Sequence, residues 1–147
     1  MARHDRIAPT WVFDVDGTVI DSLTGSSLRP LAPELLAHLA DRRCRRLLWS
    51  AGGAAYAQER AAQHGVAHLF DAFVDKEGRD GDGRYRVDRF LDGLDGVVFV
   101  DDRPEDLPVG ADAVAVSPYL APDPHDRGLR PALLWAGAAL PPWGAGG

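Results

Sequence analysis

A parallel β-sheet with helices on both faces is the fold this sequence predicts, and three observations predict it. Short apolar runs of strand length alternate with helical stretches along the chain, the pattern of right-handed βαβ units. The clearest of those runs are apolar at nearly every position, as strands covered on both sides must be. The polar residues best suited to chemistry fall where the runs stop, and open parallel sheets hold their ligands beyond those strand ends. With 147 residues, 46% of them hydrophobic and 26% charged, the chain suits one domain with an ordinary core.

Taken in order, residues 1–10 are polar and read as a flexible N-terminus. Trp11 to Asp16 is an apolar run ending in acids before Gly17, a buried strand entering a loop. Residues 17–30 carry Gly17, Gly25, Ser26, Ser27 and Pro30, a loop composition. Pro33 to Arg42 reads as a helix, with proline in its first turn and Leu35, Leu36 and Leu39 along one face. Arg46 to Ser50 is a second strand, stopped by Gly52-Gly53. Ala54 to His64 is a second helix ended by Gly65. Phe70 to Val74 is a third strand, and residues 77–84 form a polar, glycine-rich excursion. Val87 to Leu94 reads as a short helix, Gly96 to Asp102 as a fourth strand and Ala113 to Val116 as a fifth. A last helix is expected over Arg127 to Ala136. The Pro/Gly-rich end is expected to be a disordered tail over 139–147, so one catalytic domain would occupy 11–138.

Charge and composition narrow the functional classes. The net charge of −6 argues against a nucleic-acid coat, which needs a basic face. A single cysteine, Cys44, excludes an intramolecular disulfide and a multi-cysteine zinc site. No N-terminal run resembles a signal peptide and no stretch approaches 18 apolar residues, so the expectation is a cytoplasmic protein with no membrane partner. Aspartate outnumbers glutamate 18 to 4, and arginine outnumbers lysine 15 to 1, the lone lysine being Lys76.

Asp14 and Asp16 end the first strand, Ser50 the second and Asp101-Asp102 the fourth, while Lys76 follows the third. Carboxylates converging in a dry cleft repel one another, so they take up protons or are neutralised by a cation. Hard oxygen ligands without histidine or cysteine favour Mg²⁺. An aspartate beside such an ion can attack phosphorus, and phosphoryl transfer then needs positioning plus charge cancellation, which Mg²⁺ and a lysine ammonium supply. Each residue alone has a plainer reading: aspartate before glycine is turn chemistry, and Asp101-Asp102 before Arg103-Pro104 suits a helix N-cap.

Asp14-Val15-Asp16-Gly17-Thr18, then Ser50, Lys76 and Asp101-Asp102, in that order, resemble the four motifs of the haloacid dehalogenase (HAD) superfamily over residues 11–118. From this composition, Asp-x-Asp-Gly-Thr arises by chance roughly 0.005 times per chain. The resemblance implies a three-layer Rossmann-like (HAD-like) fold with a five-stranded parallel sheet, and a Mg²⁺-dependent phosphatase. Asp14 would be the nucleophile and a metal ligand. Asp16 would bind the metal through its carbonyl, while its side chain protonates the leaving group and then activates water; a second aspartate here is typical of the family's phosphohydrolases. Thr18, Ser50 and Ala51 would contact the phosphoryl group together with Lys76, which would also pair with Asp14. Asp102 would be the direct metal ligand, Asp101 a second ligand or its support, and Asp106 would hold a metal-bound water. The 33 residues of 17–49 and the 25 of 51–75 leave no room for the cap domain that closes many members, so the chain looks capless. Capless members often act on macromolecular or bulky phosphoesters, or borrow a neighbouring subunit as a lid.

The expected partner is therefore a phosphorylated substrate, small molecule or macromolecule, reached across a rim at 19–29 and 78–86. Arg29, Arg79, Arg84 and Arg86 stand there to meet further anionic groups. Trp135 and Trp143 offer a homo-oligomer contact, and Arg42, Arg43, Arg45 and Arg46 read as a solvated helix end. Two alternatives stay open, a phosphotransferase of the same type and a non-catalytic phospho-ligand-binding or signalling domain. A response-regulator receiver uses similar residues, but its acidic pair comes first along the chain, whereas here it comes last.

Overall fold

A computed structural model describes residues 7–140. Five strands, β1 (Thr10–Asp14), β2 (Arg45–Ser50), β3 (Ala72–Asp75), β4 (Val97–Asp101) and β5 (Asp112–Ala115), form one sheet in the order β3-β2-β1-β4-β5. All four pairings are parallel. Helix α1 (Ala32–Asp41) joins β1 to β2, α2 (Ala54–Gln63) leads from β2 towards β3, and α3 (Arg130–Trp135) follows β5. The chain steps outward from β1 to β3, then crosses back to β4 on the far side of β1. The switch point therefore lies between β1 and β4, where α/β sheets open a crevice for ligands. This is a small Rossmann-like three-layer fold with the five-stranded parallel sheet that the sequence predicts; its three α-helices pack on one face of the sheet rather than on both.

Alternation along each strand sorts the core into two halves. Trp11, Phe13, Leu48, Val98 and Val100 face Leu35, Leu36 and Leu39 of α1, Ala57 and Ala61 of α2, and Ala132 and Leu133 of α3. Val12, Leu47, Trp49 and Phe99 face the other way. Right-handed crossovers send α1 and α2 to the first face and the long β3–β4 connection to the second. The helix expected over Val87 to Leu94 in that connection does not form. Phe90 and Leu91 both donate to the Val87 carbonyl, a turn, and Tyr85, Val87, Phe90, Leu91 and Leu94 pack on the second face from irregular backbone. Those apolar residues keep helical spacing. However, a segment this short forms helix only when packing asks for it, and here the Trp49 ring draws Tyr85 and Phe90 onto the sheet.

Element ends differ for identifiable reasons. β3 starts at Ala72, after a bend at Asp71 whose carboxylate accepts the Arg46 amide at 2.8 Å while its own amide donates to the Arg46 carbonyl. The Arg46 side chain also leaves the solvated arginine cluster, its Nε donating to the Leu69 carbonyl at 2.7 Å and its guanidinium pairing with Asp71 at 3.5 Å. Residues 7–10 are not the frayed end expected of 1–10. Ile7 and Ala8 pack against the core, the Pro9 carbonyl accepts the Arg45 amide at 2.7 Å, and Thr10 opens β1. Leu140 likewise packs inward, while the rest of the expected flexible N-terminus (1–6) and tail (141–147, with Trp143) lies outside the described residues. Among the described residues no helix is long and apolar enough to cross a membrane.

Candidate active site

Asp14 and Asp101 are the last residues of β1 and β4, and the register Phe13↔Val100 brings them out of adjacent strands at one level. Asp102 follows directly. Carboxylate oxygens of Asp14, Asp101 and Asp102 all lie within 4.8 Å of one another. The turn after β1 closes this cluster from the side. The Thr18 hydroxyl lies 3.1 Å from Asp14 Oδ2 and 3.3 Å from Asp102 Oδ1, and it accepts the Asp102 amide at 3.1 Å. Gly17 makes that approach feasible. Its φ is +82°, and a Cβ there would sit 2.5 Å from Asp102 Oδ2, so an L side chain is excluded twice over.

Lys76 supplies the cation. Its Nζ donates to Asp14 Oδ1 at 2.8 Å and lies 3.5 Å from Asp101 Oδ2. Its ammonium sits between two rings, 4.9 Å from the Trp49 centroid and 5.0 Å from that of Tyr85. Burial opposes its charge, but Asp14 and Asp101 outweigh burial and hold it above its usual pKa. One ammonium does not satisfy three acids. Burial, reinforced by Asp101 and opposed by Lys76, pushes Asp14 up to about 7. Burial pushes Asp101 up to about 6 against the pull of Lys76 and of the Arg103 amide. Asp101 Oδ2 is fully buried and, among the described residues, has no hydrogen-bond donor, the Lys76 ammonium standing off at 3.5 Å.

Those features test the fit of a divalent cation. Among the described residues, three clustered carboxylates, one of their oxygens buried without a hydrogen-bond donor, face a single ammonium, an oxygen-lined site with an unmet need for positive charge. The chemistry of the donors matches Mg²⁺. Asp14 and Asp101 have folded pKa values above the unfolded value of 3.8, so the folded state binds protons more tightly. Without divalent metal, stability should fall as pH rises from the unfolded value of 3.8 through the folded values of about 6 and 7, and level off above them with the full cost present. Melting temperature in EDTA should drop between about pH 4.5 and 7 and flatten by pH 8, where added Mg²⁺ should raise it most. An Mg²⁺ shift independent of pH would contradict this electrostatic account.

The other expected residues arrive in varied ways. Ser50 is buried at the end of β2. Its Oγ accepts the Gly52 amide at 3.0 Å, and its carbonyl accepts the amides of Gly53 and Lys76. The hydroxyl keeps its own proton to donate. Ala51 is exposed at the tip of that turn. Asp16 is exposed and its carboxylate is not in the acid cluster; Oδ1 instead accepts the Tyr56 hydroxyl at 2.8 Å. Asp106 is not brought in either, since its carboxylate faces Arg79 at 3.3 Å and Arg103 at 3.7 Å.

Arg29 is no rim residue. It is fully buried, paired with Asp126 at 2.6 Å, and donates to the carbonyls of Thr18 and Ser117. It anchors the turn that carries Thr18. Of the other rim arginines, Arg79 is spent on Tyr85 and Asp106, Arg84 on the Leu107 carbonyl, and Arg86 pairs loosely with exposed Asp88. Two aromatic participants, Tyr56 and Tyr85, carried no local signal in the sequence. Trp49 is fully buried in the core and also floors the lysine. A cavity of about 870 Å³ runs along the β3 edge past Phe73, Glu77, Arg86 and Phe90, and none of the clustered acids lines it.

No family model matches this chain, and no curated protein matches it. Solved structures do. One crystal structure, aligned over 89% of this chain and 85% of its own, gives a TM-score of 0.50 at 17% identity. At that identity the likeness shows the fold alone.

Proposed function

We propose that this chain is a Mg²⁺-dependent phosphomonoester hydrolase acting through an aspartyl-phosphate on Asp14, a small capless phosphatase of the haloacid dehalogenase type. The observation that carries the reading is the treatment of Asp14. Lys76 and Thr18 hold its two oxygens at 2.8 and 3.1 Å, inside a cluster with Asp101 and Asp102, at the switch point of the sheet. A carboxylate fixed at both oxygens beside a lysine is an aimed nucleophile. The order of the motifs along the chain supports the same reading.

The side chains of Asp14, Asp101 and Asp102, with the Asp16 carbonyl, would hold Mg²⁺. Bound there it would supply charge cancellation on the phosphoryl oxygens. An Asp14 oxygen bonds to phosphorus as the ester P–O bond breaks, and the leaving oxygen takes a proton from Asp16. Asp16, now a carboxylate, removes a proton from water as that water attacks phosphorus. The Asp14–phosphorus bond breaks, phosphate departs and Asp14 is restored. Lys76, the Ser50 hydroxyl and the Ala51 amide donate to the phosphoryl oxygens throughout. Substrates are phosphorylated small molecules or macromolecules that reach an uncapped site, since only a loop with α1, and α2 with a short turn, fill the two gaps where a cap would insert.

The test is phosphate release from a panel of phosphomonoesters at fixed Mg²⁺. Activity should appear on at least one class, vanish in EDTA and return with Mg²⁺. Release that persists in EDTA, or requires Zn²⁺, would overturn the reading.

A further inference from the structure

We propose that Tyr56 is a positioning residue for Asp16, fixing the carboxyl that serves the leaving group; this rests on the phosphatase reading above. Tyr56 lies in the first turn of α2, and its hydroxyl donates to Asp16 Oδ1 at 2.8 Å. Asp16 is otherwise an exposed side chain on a turn, with several rotamers open to it. A single directed hydrogen bond selects among them.

The tyrosine is itself held by two neighbours. Its ring lies close to Gly52, where an added Cβ would come within 2.9 Å of Cδ1. The Arg60 guanidinium lies 5.2 Å from the ring centroid. Arg60 continues to the Gly25 carbonyl at 3.4 Å, and a Cβ on Gly25 would meet that guanidinium at 2.7 Å. His64, one turn further on, reaches the same carbonyl at 2.9 Å. The order Gly52, Tyr56, Arg60, Gly25 thus ties the turn after β2 to the loop after β1, with a glycine at each end where a side chain would collide. Burial and the neighbouring Asp16 hold the Tyr56 phenol above its ordinary pKa, so at neutral pH it is a donor.

A phenol that orients the proton donor matters most when the leaving oxygen is basic and needs that proton. The experiment is therefore a series of aryl phosphates of similar size, from p-nitrophenyl to p-methoxyphenyl, given to wild type, Tyr56→Phe, Asp16→Asn and the double variant. Phenylalanine keeps the ring and its stack, so folding is preserved. In single turnovers with enzyme in excess, which read leaving-group departure alone, Tyr56→Phe should slow phenol release about 10-fold on the poorest leaving group, the worth of one hydrogen bond to a charged group, with little loss on p-nitrophenyl phosphate and little change in the half-saturating concentration. It should add nothing in the Asp16→Asn background. An equal loss across the series, no loss, or an additive loss in the double variant would overturn the role. Wild type inactive on every ester would instead sink the phosphatase reading.

Discussion

Asp14→Asn is expected to lose turnover by at least about 10⁴-fold, the scale on which removing a covalent nucleophile is felt. The substitution suits the purpose because it barely disturbs the fold. An asparagine carbonyl can accept from Lys76 where Asp14 Oδ1 does at 2.8 Å, and the amide faces the Thr18 hydroxyl, which accepts as well as donates. What changes is nucleophilicity and charge. Asp14 sits at about 7 because its ionised form is poorly tolerated beside Asp101 in a buried site. Removing that charge should therefore raise the melting temperature at pH 8 in EDTA. It should also shrink the Mg²⁺-induced rise, since one of three clustered carboxylates is gone. Activity within tenfold of wild type, measured as phosphate release, would reject the covalent route at Asp14. A cooperative melt with no turnover would separate chemistry from folding.

The parts of this site legible in the sequence are those fixed by strand ends. Asp14, Ser50 and Asp101 end strands, so the parallel sheet brings them to one edge without further information. Lys76 arrives one residue past β3, its amide bonded to the Ser50 carbonyl at 2.9 Å. The contacts that aim these groups were not legible, because they are long-range and run through side chains with ordinary local signals. Tyr56 looks like any half-buried helical aromatic, and only the folded chain puts its hydroxyl beside Asp16, 40 residues earlier. Arg29 stands in a stretch with loop composition, which argued for exposure. Its burial depends on Asp126, 97 positions away, and no periodicity carries that pairing. The segment over 87–94 shows the converse error. The apolar spacing there suits a helix, yet it does not fix the backbone, because turns bring the same residues to the sheet.

Asp16→Asn should separate metal binding from proton transfer. Its side chain is exposed and turned to Tyr56, outside the carboxylate cluster, so the Mg²⁺-induced rise in melting temperature should persist at close to the wild-type size. Turnover should fall by about 10²–10⁴-fold, the usual contribution of a positioned acid–base group. The two chemical steps should suffer differently. Forming the aspartyl-phosphate from p-nitrophenyl phosphate needs little help, because that leaving group departs without a proton. Hydrolysing it needs a base for water, and asparagine offers none. The variant should therefore release a burst of p-nitrophenol and accumulate protein heavier by one phosphoryl group, detectable by intact mass and lost on combining it with Asp14→Asn. A melting shift that disappears with Asp16→Asn would make that carboxylate a ligand, and a steady state with neither burst nor mass increase would remove Asp16 from the second step.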